Sequence, residues 1–93
     1  MRKITQLATT AFINNTPFNL SNTQVTHKDG VTCLKLYGHI IAIKDKDGLR
    51  VTTAGYDTVT TKERLSGLVT VQHIKKVLHL NDEVWDGSLT KIA

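Results

Sequence analysis

Residues 22–53, NTQVTHKDGVTCLKLYGHIIAIKDKDGLRVTT, decide the fold. Within them, short β-branched runs are cut by Lys28-Asp29-Gly30 and by Asp45-Lys46-Asp47-Gly48. Asp-Gly pairs readily supply the left-handed backbone of tight hairpin turns, so both cuts read as chain reversals. They delimit strands at Thr23–His27, Val31–Tyr37, His39–Lys44 and Leu49–Thr53, with Gly38 marking a bulge, bend or break between two of them. The simplest arrangement is a run of consecutive antiparallel strands.

Upstream of this stretch, Ile4, Leu7, Ala8, Ala11 and Phe12 recur at helical spacing and form one stripe. The helix is expected to stop near Asn14-Asn15, because Asn tolerates left-handed backbone and Pro17 biases Thr16 away from helical geometry. Phe18 and Leu20 then anchor the connection against the core. Downstream, Ala54-Gly55-Tyr56-Asp57 reads as a turn. Thr60 and Glu63 match a capping box, which predicts a short helix from Thr61 with Leu65 and Leu68 facing inward. Gly67 falls where a left-handed C-terminal residue is expected.

After that helix, Val69–Lys75 and Val77–Leu80 read as strands around a Lys75-Lys76 reversal. Asn81-Asp82 makes the next turn, Glu83-Val84-Trp85 returns as a short strand, and Asp86-Gly87 turns again. The order implies an α+β fold: an N-terminal helix and one short internal helix packed on a single antiparallel sheet of five to seven short strands. One compact domain is expected to take in residues 1–93.

A chain of 93 residues buries only roughly 60–65% of its unfolded surface, which excludes a deep cleft walled by two domains. The sequence holds no apolar run long enough to span a membrane, and Met1-Arg2-Lys3 leads into Ile4-Thr5-Gln6 rather than an apolar signal segment. Together with a single cysteine, Cys33, which has no internal disulfide partner, this sets the expectation of a cytoplasmic protein without membrane contact.

The residues that carry chemistry form no catalytic or metal-binding constellation. His27, Cys33, His39, His73 and His79 make no C-x-x-C or H-x-x-x-H pair, so neither a metal nor a cofactor is expected. Cys33 lies inside an apolar run and reads as a buried, unactivated thiol. Ser21, Ser66 and Ser88 sit beside turns or caps, and the acidic residues are mostly explained by turn propensity. The start of the second helix, with Thr60, Thr61, Lys62 and Arg64, offers a weak anion site, against which stands ordinary self-capping by Glu63. The chain therefore reads as non-enzymatic.

Twelve Lys and Arg against eight Asp and Glu give a net charge of +4, which suits an acidic partner. For nucleic acid the candidates are Lys44, Lys46, Arg50, Lys75 and Lys76, acting on phosphates, since aromatic interleaving is poor. For a protein partner the candidates are Tyr56, Lys62, Arg64 and Trp85. Trp85 has two readings, a lid on a small core or, if exposed beside Tyr56, a partner anchor. Unpaired edges in so small a sheet also leave a homodimer by sheet extension open.

Three segments carry a resemblance: Thr53-Ala54-Gly55-Tyr56, Thr60-Thr61-Lys62-Glu63-Arg64-Leu65-Ser66-Gly67-Leu68, and Leu80-Asn81-Asp82-Glu83-Val84-Trp85-Asp86-Gly87. With the opening Lys3-Ile4-Thr5-Gln6, Ala11-Phe12 and Pro17-Phe18, the chain resembles small accessory proteins of tailed bacteriophages over most of its length. Those relatives carry Ala-Gly-Trp in place of Ala54-Gly55-Tyr56. The resemblance implies a viral protein acting in the cytoplasm of an infected bacterium. The expected role is binding a host protein or defence complex and inhibiting or redirecting it, in an anti-CRISPR-like or other counter-defence manner. The alternative is a basic accessory protein bound to DNA or RNA through phosphates.

Overall fold

The computed structural model describes residues 2–92. Helix α1 spans Lys3–Ile13 and leads into β1 (Phe18–Leu20), β2 (Thr23–Lys28), β3 (Val31–Leu36), β4 (His39–Asp45) and β5 (Gly48–Val51). Helix α2 (Val59–Leu65) follows, then β6 (Val71–Ile74), β7 (Val77–Leu80), β8 (Glu83–Val84) and β9 (Thr90–Lys91). The architecture is the α+β one expected, with a six-stranded antiparallel sheet in the order β1-β2-β3-β4-β5-β9.

Turn chemistry sets the meander. Asp29 and Gly30 both adopt positive φ, 54° and 80°, as do Tyr37 and Gly38 at 52° and 80°. Two consecutive left-handed residues give a turn whose twist matches that of the flanking strands. Gly38 is thus a turn residue, and the register shift lies elsewhere. Leu34 pairs with Ala42 and Lys35 with Ile40, which leaves Ile41 as the extra residue of a bulge. The bulge lets Ile41 and Ala42, neighbours in sequence, both be buried.

Both helices cover one face of this sheet. Val25, Leu34, Leu36, Ala42 and Val51 meet Ala8, Ala11 and Phe12 of α1 and Leu65 of α2. The buried stripe of α1 is Thr5-Ala8-Ala11-Phe12, whereas Leu7, expected inward, is exposed. The helix is rotated toward Thr5, whose hydroxyl has hydrogen-bond partners on α2, and Leu7 is left at the surface. Asn15 takes φ 56° just past the helix, as its sequence position predicts. Lys44 donates from Nζ to the Phe12 and Ile13 carbonyls at 2.9 and 2.8 Å, placing a cation at the negative end of the α1 dipole.

The last strands do not extend the main sheet. β6, β7 and β8 form a second sheet of three, linked by left-handed pairs at Lys75-Lys76 and Asn81-Asp82. The free edge of β5 is taken by β9, a two-residue strand that the sequence reading does not anticipate, with Arg50 facing Lys91 and Val51 facing Thr90. The segment before β9 explains this choice. The Gly87 carbonyl accepts from the Thr53 amide at 3.0 Å and the Thr52 hydroxyl at 2.7 Å, and Trp85 Nε1 donates to the Thr90 hydroxyl at 2.9 Å. Those bonds bring Thr90 to the β5 edge. Phe18–Leu20, expected only as an anchoring loop, is the opposite edge strand; Phe18 packs on the core and Leu20 is exposed.

Candidate functional site

The second helix begins two residues before its expected start. Thr58 is the N-cap, its hydroxyl accepting from the Thr61 amide at 3.2 Å, and Thr60 lies inside the first turn. Glu63 therefore makes no reciprocal capping box. Its carboxylate turns to α1, accepting from the Arg2 amide at 3.0 Å and the Thr5 hydroxyl at 2.5 Å. The anion site weighed at Thr60 and Thr61 is absent, because Thr58 already occupies the helix start and Thr61 is buried.

Arg64 is the centre of a buried polar network. Only 4% exposed, it donates from Nε to the Thr23 hydroxyl at 2.8 Å, from Nη1 to Thr5 at 3.3 Å and from Nη2 to Asn22 Oδ1 at 3.4 Å. Thr23 passes its own proton to Asn22 Oδ1 at 2.8 Å, and Thr5 passes its proton to Glu63. One guanidinium thus joins α1, α2 and β2. Burial lowers the Arg64 pKa, yet a guanidinium with fork-like partners stays charged. As a partner contact Arg64 is corrected: it is structural.

Trp85 is likewise withdrawn, at 8% exposure, with its indole bonded to Thr90 and the Ser88 carbonyl. Of its two readings the core lid holds. Lys62 is half-buried, and its ammonium sits 2.6 Å from His73 Nδ1. An ammonium only donates, so Nδ1 accepts; the ring proton is then on Nε2, which donates to Asp57 Oδ2 at 2.8 Å. This relay pins the second sheet to the loop before α2.

Tyr56 is the remaining candidate, and it is exposed. It stacks on His39 with ring centroids 4.8 Å apart and planes tilted by 39°. The two rings edge a cavity of about 280 Å³ floored by Leu36 and Ile41 and closed by Thr53 and Thr61. Tyr37, 71% exposed, lines the same cavity from the β3–β4 turn, and Val59, 78% exposed, adds apolar surface on α2. His39 was weighed in the sequence only as a metal ligand, and Val59 was missed. Tyr37-Gly38 lacks the Asn-Gly or Asp-Gly signature of a hairpin turn, so the turn that exposes Tyr37 had only Gly38 as its local signal.

The nucleic-acid candidates do not share a surface. Lys44 points under the sheet to α1, Lys46 is in the β4–β5 turn, Arg50 pairs with Asp45 on the open face, and Lys75 and Lys76 form the tip of the second sheet. Cys33, expected to be buried, is half-buried on the open face, because its neighbours Thr32 and Leu34 are the inward residues. Among the described residues no cluster of three or more His, Cys, Asp or Glu is placed to hold a metal.

Glu63 gives a pH signature. The Thr5 hydroxyl and the Arg2 amide, with nearby positive charge, hold its carboxyl below the ordinary value of 4.5. A carboxyl depressed in the folded state contributes stability that is fully present above the unfolded value and lost as pH falls through the folded one. Asp86 is lowered from 3.8 by the Ser88 hydroxyl and amide and titrates in the same acid range. Melting curves of wild type and Glu63→Gln should therefore differ at pH 6–7, and the difference should shrink as the pH falls below 4.5. A constant difference across that range would detach Glu63 from α1.

Fold and surface together define a small α+β protein with one helix-covered sheet face, one open sheet face and an aromatic-edged cavity at the sheet end. Residues 1–86 match the family described as Kyanoviridae Gp96 protein. The chain belongs to that family and is a protein of tailed phages. No curated protein and no solved structure matches it. Among the described residues no helix is long and apolar enough to cross a membrane.

Proposed function

We propose that this phage protein is a non-enzymatic binding module that occupies a surface of a host protein or defence complex in the infected cytoplasm and thereby inhibits or redirects it. Counter-defence is one form of that role. The observation that carries the reading is the set of exposed rings, Tyr37, His39 and Tyr56, around one cavity. Exposed aromatics beside a pocket are the usual anchors of protein–protein contact, since they bury much apolar area while losing few rotamers. A partner with an apolar side chain presented on a loop fits the cavity, with Tyr37 and Tyr56 closing over it.

The test is affinity capture from a bacterial host with wild type and with Tyr37→Ala and Tyr56→Ala, under nuclease and a high-salt wash. A discrete host protein held by wild type, and bound about tenfold more weakly by either variant at unchanged melting temperature, supports the reading. Equal retention by wild type and both variants would remove this surface from the account.

A further inference from the structure

The face of the six-stranded sheet turned away from the helices is uncovered, and its charge is one-sided. Thr32, Leu34 and Leu36 point inward, so Lys35 points outward; Thr23 and Val25 point inward, so Lys28, in step with Gln24 and Thr26, points outward. Val51 and Thr90 pair toward the helices, which places their neighbours Arg50 and Lys91, also paired across the strands, on the open side. Four cations are thus on this face. Its only strand acid is Asp45, ion-paired to Arg50, while Asp29 and Asp47 lie in turns at its rim. The other acids, Asp57, Glu63, Asp82, Glu83 and Asp86, belong to α2, the second sheet and its loops. Four cations less one acid leave +3 on the strands of this face, or +2 once Asp29, Lys46 and Asp47 in its rim turns are counted, of a net +4 for the chain.

Such a surface needs a polyanion. The face projects no helix or ribbon that could enter a duplex groove. Between its cations lie Ile40 and Ile43, which with Cys33 give an apolar strip one to two strand spacings wide, roughly 5–10 Å. A single strand offers both phosphates for the cations and unpaired bases for that strip. Neither a duplex nor an acidic peptide offers both. We infer that the open sheet face is a track for single-stranded nucleic acid, held through its phosphates by Lys28, Lys35, Arg50 and Lys91 without base readout. The inference does not depend on the aromatic cavity, which is built by other residues.

The test is fluorescence anisotropy with a labelled 20-nucleotide oligothymidylate. A duplex of equal length and a 20-residue polyglutamate serve as comparison arms. With four phosphates neutralised, the salt slope on a single strand is about −2.8, so affinity should fall roughly fiftyfold between 50 and 200 mM salt. Lys35→Ala with Lys91→Ala should halve that slope and weaken binding at least tenfold at 50 mM salt, with the melting temperature unmoved. Lys75→Ala with Lys76→Ala, at the tip of the other sheet, should leave affinity within twofold. Asp45→Asn should tighten binding severalfold. No binding of the oligonucleotide at 50 mM salt overturns the inference, as does equal loss in both double variants. Tighter binding of the duplex, or of polyglutamate with the same dependence on Lys35 and Lys91, reassigns the face to that partner and overturns it equally.

Discussion

Arg64→Ala is expected to cost about 3–5 kcal/mol, the range seen when one member of a buried charged network is removed. At 4–8 °C per kcal/mol for a domain of this size, the melting temperature should drop by at least about 12 °C. The cost has two parts. Removing the guanidinium takes away three donors, to Thr23, Thr5 and Asn22, and charged hydrogen bonds are each worth more than neutral ones. It also opens a void between α1, α2 and β2, with three polar side chains facing it.

Arg64→Met separates the two. Methionine fills most of the volume but donates nothing, and Thr5 and Thr23 can still give their protons to Glu63 and Asn22. It should therefore be less harmful than alanine. Arg64→Lys keeps the charge but cannot reproduce the fork of donors, so it should fall short of wild type as well. Thermal denaturation of the three variants ranks them. A shift below about 4 °C for Arg64→Ala would mean the side chain is free, and would return Arg64 to the partner surface suggested by the sequence.

The ranking bears on what a sequence can disclose. Two of the three strand boundaries between Thr23 and Val51 were legible because each is punctuated by an Asp-Gly pair, Asp29-Gly30 or Asp47-Gly48, whose conformational demand needs no distant partner, and the third was marked by Gly38 alone. The helix from Lys3 was legible for the same reason, in its period. Its face was not, since Thr5 is drawn inward by Glu63, 58 residues away along the chain. The predicted cap was displaced too: threonines stand at 58, 60 and 61, and Glu63, which a capping box at Thr60 would use, faces α1 instead. Arg64 and Trp85 share that limitation. A charged residue looks like a surface anchor until the folded chain supplies Thr5, Thr23 and Asn22, and a lone tryptophan is open to both a lid and an anchor role until Thr90 takes its indole.

Sheet membership was illegible for a related reason. Alternation in Val71–Leu80 says that a hairpin has one apolar side, not which sheet edge it joins. The decision was made by the Gly87 carbonyl and the Trp85 indole, which carry Thr90-Lys91 to the edge of β5. Gly87, at φ 85°, is in turn required twice over. Its backbone is left-handed, and a Cβ there would meet the Thr53 hydroxyl at 2.4 Å.

Gly67 poses the sharper question, because sequence and structure give it different work. Its place after α2 suggests a left-handed cap, yet it is not among the residues with positive φ. What it supplies is absence of bulk. A Cβ at Gly67 would lie 1.9 Å from Thr9 Oγ1 and 2.9 Å from Thr9 Cβ, both closer than atoms can approach, so it lets the chain pass directly over α1. Gly67→Ala is accordingly expected to cost about 2–3 kcal/mol through overpacking, a fall of roughly 10 °C or more.

Rescue distinguishes the two explanations. Thr9 Oγ1 is buried without a hydrogen-bond partner, so Thr9→Ala alone should be nearly neutral or slightly stabilising. Combined with Gly67→Ala it should recover only part of the loss, since the contact with the residue 9 Cβ remains. Thr9→Gly with Gly67→Ala removes that contact too and should recover most of it, less about 1 kcal/mol for glycine within a helix. A left-handed cap would behave differently: alanine would cost about 1–2 kcal/mol wherever Thr9 stood, and no change at Thr9 would restore it. Melting temperatures of the two double variants, compared with Gly67→Ala alone, decide between close approach and backbone conformation as the reason a glycine follows α2.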